Sequence, residues 1–114
     1  MKRLVLATER IIASRMCEGL PAAQRAQMLA DLATASVEPL NDDGSILRFH
    51  LQGYTRLPGI GRRVAVDGTA RDRDGAHLNV ILFTDENDRL YELEVVRFDE
   101  GNVVGPDMET LRVF

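Results

Sequence analysis

The chain has a single cysteine, Cys17, no tryptophan, two histidines and one lysine among its 114 residues. One cysteine cannot close an intramolecular disulfide and has no second thiolate with which to build a metal site. A zinc site would have to recruit both His50 and His77 together with distant carboxylates, a spacing that matches no metal-binding motif. We therefore expect no metal and no cofactor. Long apolar runs are also missing. Arg, Glu or Asp interrupts every stretch before it nears the roughly 20 residues that cross a bilayer, and the opening Leu4-Val5-Leu6-Ala7 run is shorter than the roughly 7–15 residues of a signal-peptide core. The expectation is a cytoplasmic protein without a membrane partner. The length suits one domain, and 45% hydrophobic with 28% charged residues is an ordinary globular composition.

Charge is uneven along the chain. Residues 1–84 hold eleven basic and nine acidic groups, whereas 85–114 hold three basic and nine acidic, for a formal net charge of −4. A net negative chain whose arginines are dispersed offers no stripe to replace counterions along a phosphate backbone, so nucleic acid is excluded as the expected partner.

Between Leu4 and Met16 the residues Leu4, Val5, Thr8, Ile11, Ile12 and Met16 recur three or four apart, which predicts a helix over about 4–18. Gly19 stops it, and Pro21 suits the start of a second helix over about 21–33. The stripe of that helix is Ala22, Ala26, Leu29, Leu32 and Ala33, with Gln24, Arg25, Gln27 and Asp31 turned outward. After Ala35 the period becomes two and turn signals recur, giving strands at about 36–40, 46–51, 64–71, 76–84 and 90–98, with a short terminal strand at 110–114. The predicted fold is α+β, with an N-terminal helical hairpin packed on one face of an antiparallel meander of about five strands.

Turn chemistry predicts the register of the centre. Arg73-Asp74-Gly75 reads as a three-residue hairpin loop with Gly75 in the left-handed region, which pairs Ala70 with Leu78, Gly68 with Val80 and Val66 with Leu82. A four-residue loop at Asp85–Asp88 then pairs Thr84 with Arg89, Leu82 with Tyr91, Val80 with Leu93 and Leu78 with Val95. The core face becomes Val66, Ala70, Leu78, Val80, Leu82, Tyr91, Leu93 and Val95, and a slip of one residue would expose this whole set. On the strand 46–51, Leu47, Phe49 and Leu51 take the core side and Ile46, Arg48 and His50 the other.

The opposite face carries the candidate binding residues Asp67, Thr69, His77, Asn79, Glu92 and Glu94, with Asn79 across from Glu94 and Thr69. A histidine near two carboxylates can transfer protons or bind a divalent cation, and a solvated sheet face has the same polar alternation without any chemistry. Ile81, Phe83, Leu90, Val96 and Phe98 flank this polar centre, as apolar residues do at many contact surfaces. The run Gly59-Ile60-Gly61-Arg62-Arg63 invites comparison with a phosphate loop, but it enters a strand and opens no helix. An anion between Arg56, Arg62 and Arg63 competes there with a plain turn and solvated arginines. Ser14, Ser36 and Ser45 sit in a helix, at a strand start and in a turn, and none lies in a nucleophile elbow. No catalytic residue is assigned.

The segment Asn79–Glu94, preceded by Asp72-Arg73-Asp74-Gly75, resembles a hairpin of uncharacterised small bacterial proteins. In these a strand ending in Asp leads through a turn to an Arg-Leu-x-Glu-Leu-Glu strand, here Arg89-Leu90-Tyr91-Glu92-Leu93-Glu94. The resemblance implies a bacterial α+β domain without established enzymatic activity, in a size class shared with toxin-immunity proteins. The functional expectation is a small non-catalytic protein-binding domain, in its most concrete form an immunity-type protein that meets a basic toxin through its acidic residues 85–114. Two alternatives are a ligand-binding or structural homodimer, and an enzyme using His77, Glu92 and Glu94.

Overall fold

A computed structural model describes residues 1–59 and 61–114. The chain runs β1 (Arg3–Leu4), α1 (Ala7–Cys17), α2 (Ala22–Thr34), β2 (Ser36–Pro39), β3 (Ile46–His50), β4 (Arg62–Asp72), β5 (His77–Asp85), β6 (Leu90–Arg97) and β7 (Pro106–Val113). All strands join one seven-stranded antiparallel sheet in the order β1-β2-β3-β6-β5-β4-β7. The α+β class with a helical hairpin ahead of the sheet is as expected, but the sheet is wider and is no simple meander. β3 pairs with β6 instead of β4. The tight turns keep β4, β5 and β6 adjacent, while residues 51–61 are long enough to carry the chain past two strands. β1 takes Arg3 and Leu4 out of the predicted first helix, and the terminal strand begins at Pro106.

The β4–β5 register is the predicted one, with Ala70 opposite Leu78, Gly68 opposite Val80 and Val66 opposite Leu82. Gly75, at φ 91°, supplies the left-handed residue of the turn. The next hairpin differs from expectation by two residues: Leu82 faces Leu93 and Val80 faces Val95. Its loop has three residues, closed by Asp85 N–H donating to Arg89 O at 3.0 Å, with Asp88 at φ 60° in the left-handed position. An irregularity beside Phe83 and Thr84 then absorbs the extra residue. Leu90 is fully buried on the core side, and Tyr91 passes to the opposite face. An even shift preserves the faces, so Leu78, Val80, Leu82, Leu93 and Val95 are all buried as predicted.

The core lies between this sheet face and the two helices, with Ile12, Ala13, Met16 and Cys17 of α1 and Met28 and Leu32 of α2 packed on the strands. The α2 stripe is rotated from the predicted one. Met28, Asp31 and Leu32 are buried, whereas Ala22, Ala26, Leu29 and Ala33 are exposed, because Asp31 accepts hydrogen bonds from Arg89 and from the Leu90 N–H of β6. Ile11, placed on the α1 stripe, is exposed as well. Among the described residues, no helix is long and apolar enough to cross a membrane.

Candidate functional site

Both helices lie on the core face, and among the described residues no helix or strand covers the other one. Alternation sends Thr69, Asp67 and Val64 of β4, His77, Asn79, Ile81 and Phe83 of β5, Glu92, Glu94 and Val96 of β6, and Ile46, Arg48 and His50 of β3 to this open face. Phe98 continues the β6 row, with its ring stacked on His77 at 6.4 Å between centroids. Asp67, Thr69, His77, Asn79, Glu92 and Glu94 therefore share one face with the flanking Ile81, Phe83, Val96 and Phe98. Their spacing differs from expectation, since Asn79 faces Thr69 and Val96, while Glu94 faces Ile81 and Glu92 faces Phe83. Glu94 thus lies level with a residue four along from His77, about 13 Å at 3.3 Å per residue. The register does not bring His77 together with Glu92 and Glu94.

The centre of the face is a lattice of ion pairs. Glu92 is only 3% exposed and accepts from Arg48 Nη2 at 2.6 Å and from Arg62 Nη1 at 2.7 Å. Arg62 also pairs with Glu94, and its guanidinium lies 4.2 Å from the centroid of Phe83. This cover leaves Phe83 buried although it stands on the open side. The Glu92 and Glu94 hydrogen bonds outweigh partial burial and raise the pKa values of Arg48 and Arg62, so both stay charged. Such pairing desolvates Glu92 without leaving it unmatched.

A second cluster closes one end of the face. Arg56 reaches into the place where the β3–β6 ladder stops, donating to Phe49 O at 3.0 Å and to Leu90 O. Its Nε donates to Asp85 at 2.9 Å, and Tyr54 Oη donates to the same carboxylate oxygen at 2.6 Å. Burial opposes ionisation of Asp85, yet these bonds and the Arg89 and Asn87 N–H groups hold its pKa below the usual carboxylate value. Two guanidinium groups lie over the Tyr91 ring, Arg48 at 5.3 Å and Arg56 at 4.3 Å from its centroid. The anion cradle considered for Arg56, Arg62 and Arg63 does not form. Each arginine is paired with a different carboxylate, Arg63 with Asp88, and Ile60 of that segment lies outside the described residues.

Around the lattice, apolar side chains reach solvent: Leu40 is 42% exposed, Val64 57%, Val96 40% and Phe98 65%. Leu90, expected in this patch, belongs to the core. Alternation already placed Val96 and Phe98 here, whereas Leu40 and Val64 were missed, and so were the arginines as partners of Glu92 and Glu94. The β3–β6 adjacency that joins Arg48 to Glu92 has no local sequence signal. Among the described residues, no group of three or more His, Cys, Asp or Glu side chains is arranged to hold a metal ion. The arrangement offers apolar area beside fixed, mutually neutralised charges, which suits recognition of a surface. The family model described as Domain of unknown function (DUF6984) matches residues 2–105. No curated protein and no solved structure matches the chain.

Proposed function

The chain belongs to the DUF6984 family, and on this footing we propose that it is a non-catalytic protein-binding domain whose open sheet face receives the partner. One observation carries this reading: Val64, Val96, Phe98 and Leu40 are exposed on a face where the charges between them already satisfy one another. Desolvating a pre-paired lattice costs less than burying free carboxylates, and apolar anchors supply the association energy.

The concrete form of the proposal is an immunity-type protein that binds a basic toxin domain. Glu92 and Glu94 contribute little net field, being neutralised by Arg48 and Arg62. Steering falls instead to Glu86, Glu100, Asp107 and Glu109, which are exposed and carry no ion pair among the described residues. Charges of this kind raise association rates in a salt-dependent way, while the apolar side chains around the lattice, once covered by the partner, set the lifetime of the complex.

The test is comparative capture from source cells with the wild type and with the double variant Val96→Asp, Phe98→Asp, whose two positions are solvent-exposed and should leave the melting temperature unchanged. We expect a basic protein that the wild type retains and the double variant loses. A partner retained equally by both overturns the assignment of this face. A concentration-dependent dimer that the same substitutions abolish would give the face to a second copy of the chain.

A further inference from the structure

Packing of α1 on the inner sheet face is incomplete beside its first turn. A cleft of about 210 Å³ remains between the first turn of α1, the turn at 43–45 and the segment 103–108 that leads into β7. Its floor is apolar, with Ile12, Leu47, Leu93 and Val95 contributing buried side chains. Three charged residues reach its walls, Glu9, Asp43 and Arg73, and their circumstances differ. Glu9 is clamped by Arg3 through bonds of 2.8 and 2.7 Å and accepts the Leu6 N–H as well. Asp43 accepts the N–H groups of Ser45 and Val103 at 3.1 and 2.9 Å. Both carboxylates are thus satisfied within the fold.

Arg73 is not. The two aspartates that flank it, Asp72 and Asp74, are both taken by Arg97, each at 2.8 Å. Among the described residues, no carboxylate forms an ion pair with Arg73. Its guanidinium lies against Gly105, where an added Cβ would stand 3.1 Å from Nε and 3.2 Å from Cζ, so the missing side chain at 105 makes room for it. Thr8, in the first turn of α1, also lines the cleft. That turn is the positive end of the helix, and Leu6 gives it no side-chain acceptor. The cleft therefore combines an apolar floor with one uncommitted cation and no uncommitted anion.

We propose that this cleft binds a small amphipathic carboxylate, with its hydrocarbon body on Ile12, Leu47, Leu93 and Val95 and its carboxylate on Arg73. A buried apolar cavity of about 150 Å³ holds benzene, so 210 Å³ admits a ring or a short acyl chain. A cation would find both neighbouring carboxylates already bonded, and a neutral alcohol would leave the guanidinium without a counter-charge. The site lies on the sheet face opposite the proposed docking surface and does not depend on it.

The probes are hexanoate, benzoate and 1-hexanol, titrated into nitrogen-15-labelled protein near neutral pH and followed through amide chemical shifts. Hexanoate and benzoate should move the amides of Ser45, Val95, Val103 and Gly105. Arg73→Gln should weaken them at least tenfold, with unchanged melting because Arg73 is exposed. Hexanol should bind the wild type as weakly as hexanoate binds that variant. The proposal is overturned by carboxylates that leave these amides unmoved, by an alcohol that binds as tightly as the acid, or by equal affinity in Arg73→Gln.

Discussion

Asp31 sits on the side of α2 that helical periodicity turns toward solvent, yet it is 4% exposed. It takes three hydrogen bonds from Arg89, between 2.8 and 3.2 Å, a fourth from the Leu90 N–H and a fifth from Gln27 Nε2 at 3.0 Å. Nothing in α2 announces the burial, because the arginine that Asp31 meets there is encoded 58 residues later. Asp31→Ala leaves Arg89 and a buried backbone donor without an acceptor, for a predicted loss of about 2–4 kcal/mol, read by chemical denaturation. Asp31→Asn, which retains an acceptor, should lose less. Cys17 is a simpler case, a lone thiol buried between α1 and the sheet. Burial, partly offset by Arg25, pushes its thiol up to about 11. At about pH 8 only about one thiol in a thousand would be ionised, so iodoacetamide should leave the native protein unmodified and label it fully in denaturant. Rapid native labelling would contradict the packing of α1.

At the scale of elements, α1 packs closely on the sheet because β4 carries a glycine beneath it. A Cβ on Gly68 would lie 2.8 Å from the Arg112 carbonyl and 3.3 Å from Met16 Sδ. The sulfur can move, but the carbonyl belongs to the β7 backbone. Gly68→Ala is therefore expected to cost about 1–3 kcal/mol by overpacking, with β7 losing amide protection before the other strands in hydrogen exchange. The two hairpins show what was legible in the sequence and what was not. Gly75 advertises its left-handed position, and that register is the observed one. Asp88 occupies the equivalent position without a glycine to mark it, so the second loop reads one residue too long and the pairing is offset by two. Period-two alternation still identifies the faces, since an even offset preserves them. This is why the candidate residues share a face although their cross-strand partners differ. The arginines that complete the site come from β3 and β4, and only the strand order places Arg48 and Arg62 on either side of Glu92.

For the whole molecule, the same pairing governs the response to acid. Asp72 and Asp85 are buried carboxylates that join distant segments. Asp72 accepts from Arg97 and from the N–H groups of Arg73, Val104 and Gly105, tying the approach to β7 onto the β4–β5 turn. Asp85 holds the 54–56 segment against the β5–β6 turn through Tyr54 and Arg56. Burial raises both pKa values, but the hydrogen bonds prevail and both lie below the ordinary 3.8. A carboxyl with a depressed folded-state pKa binds protons more readily when unfolded, so its stabilisation is complete above the unfolded value and fades as pH falls through the folded one. The melting temperature should therefore be nearly flat from about pH 7 to 5 and fall steeply below about pH 4. Protonation there also leaves Arg56 and Arg97 without their buried counter-ions. Asp85→Asn keeps the shape and an acceptor but removes the charge, so we expect it to cost about 2–4 kcal/mol at neutral pH. Its melting curve should also depend less on pH below 4, because one of the carboxyls linked to folding no longer titrates. Thermal unfolding of wild type and variant across that range, at fixed ionic strength, separates the outcomes: two parallel pH profiles would mean that Asp85 does not link protonation to the fold.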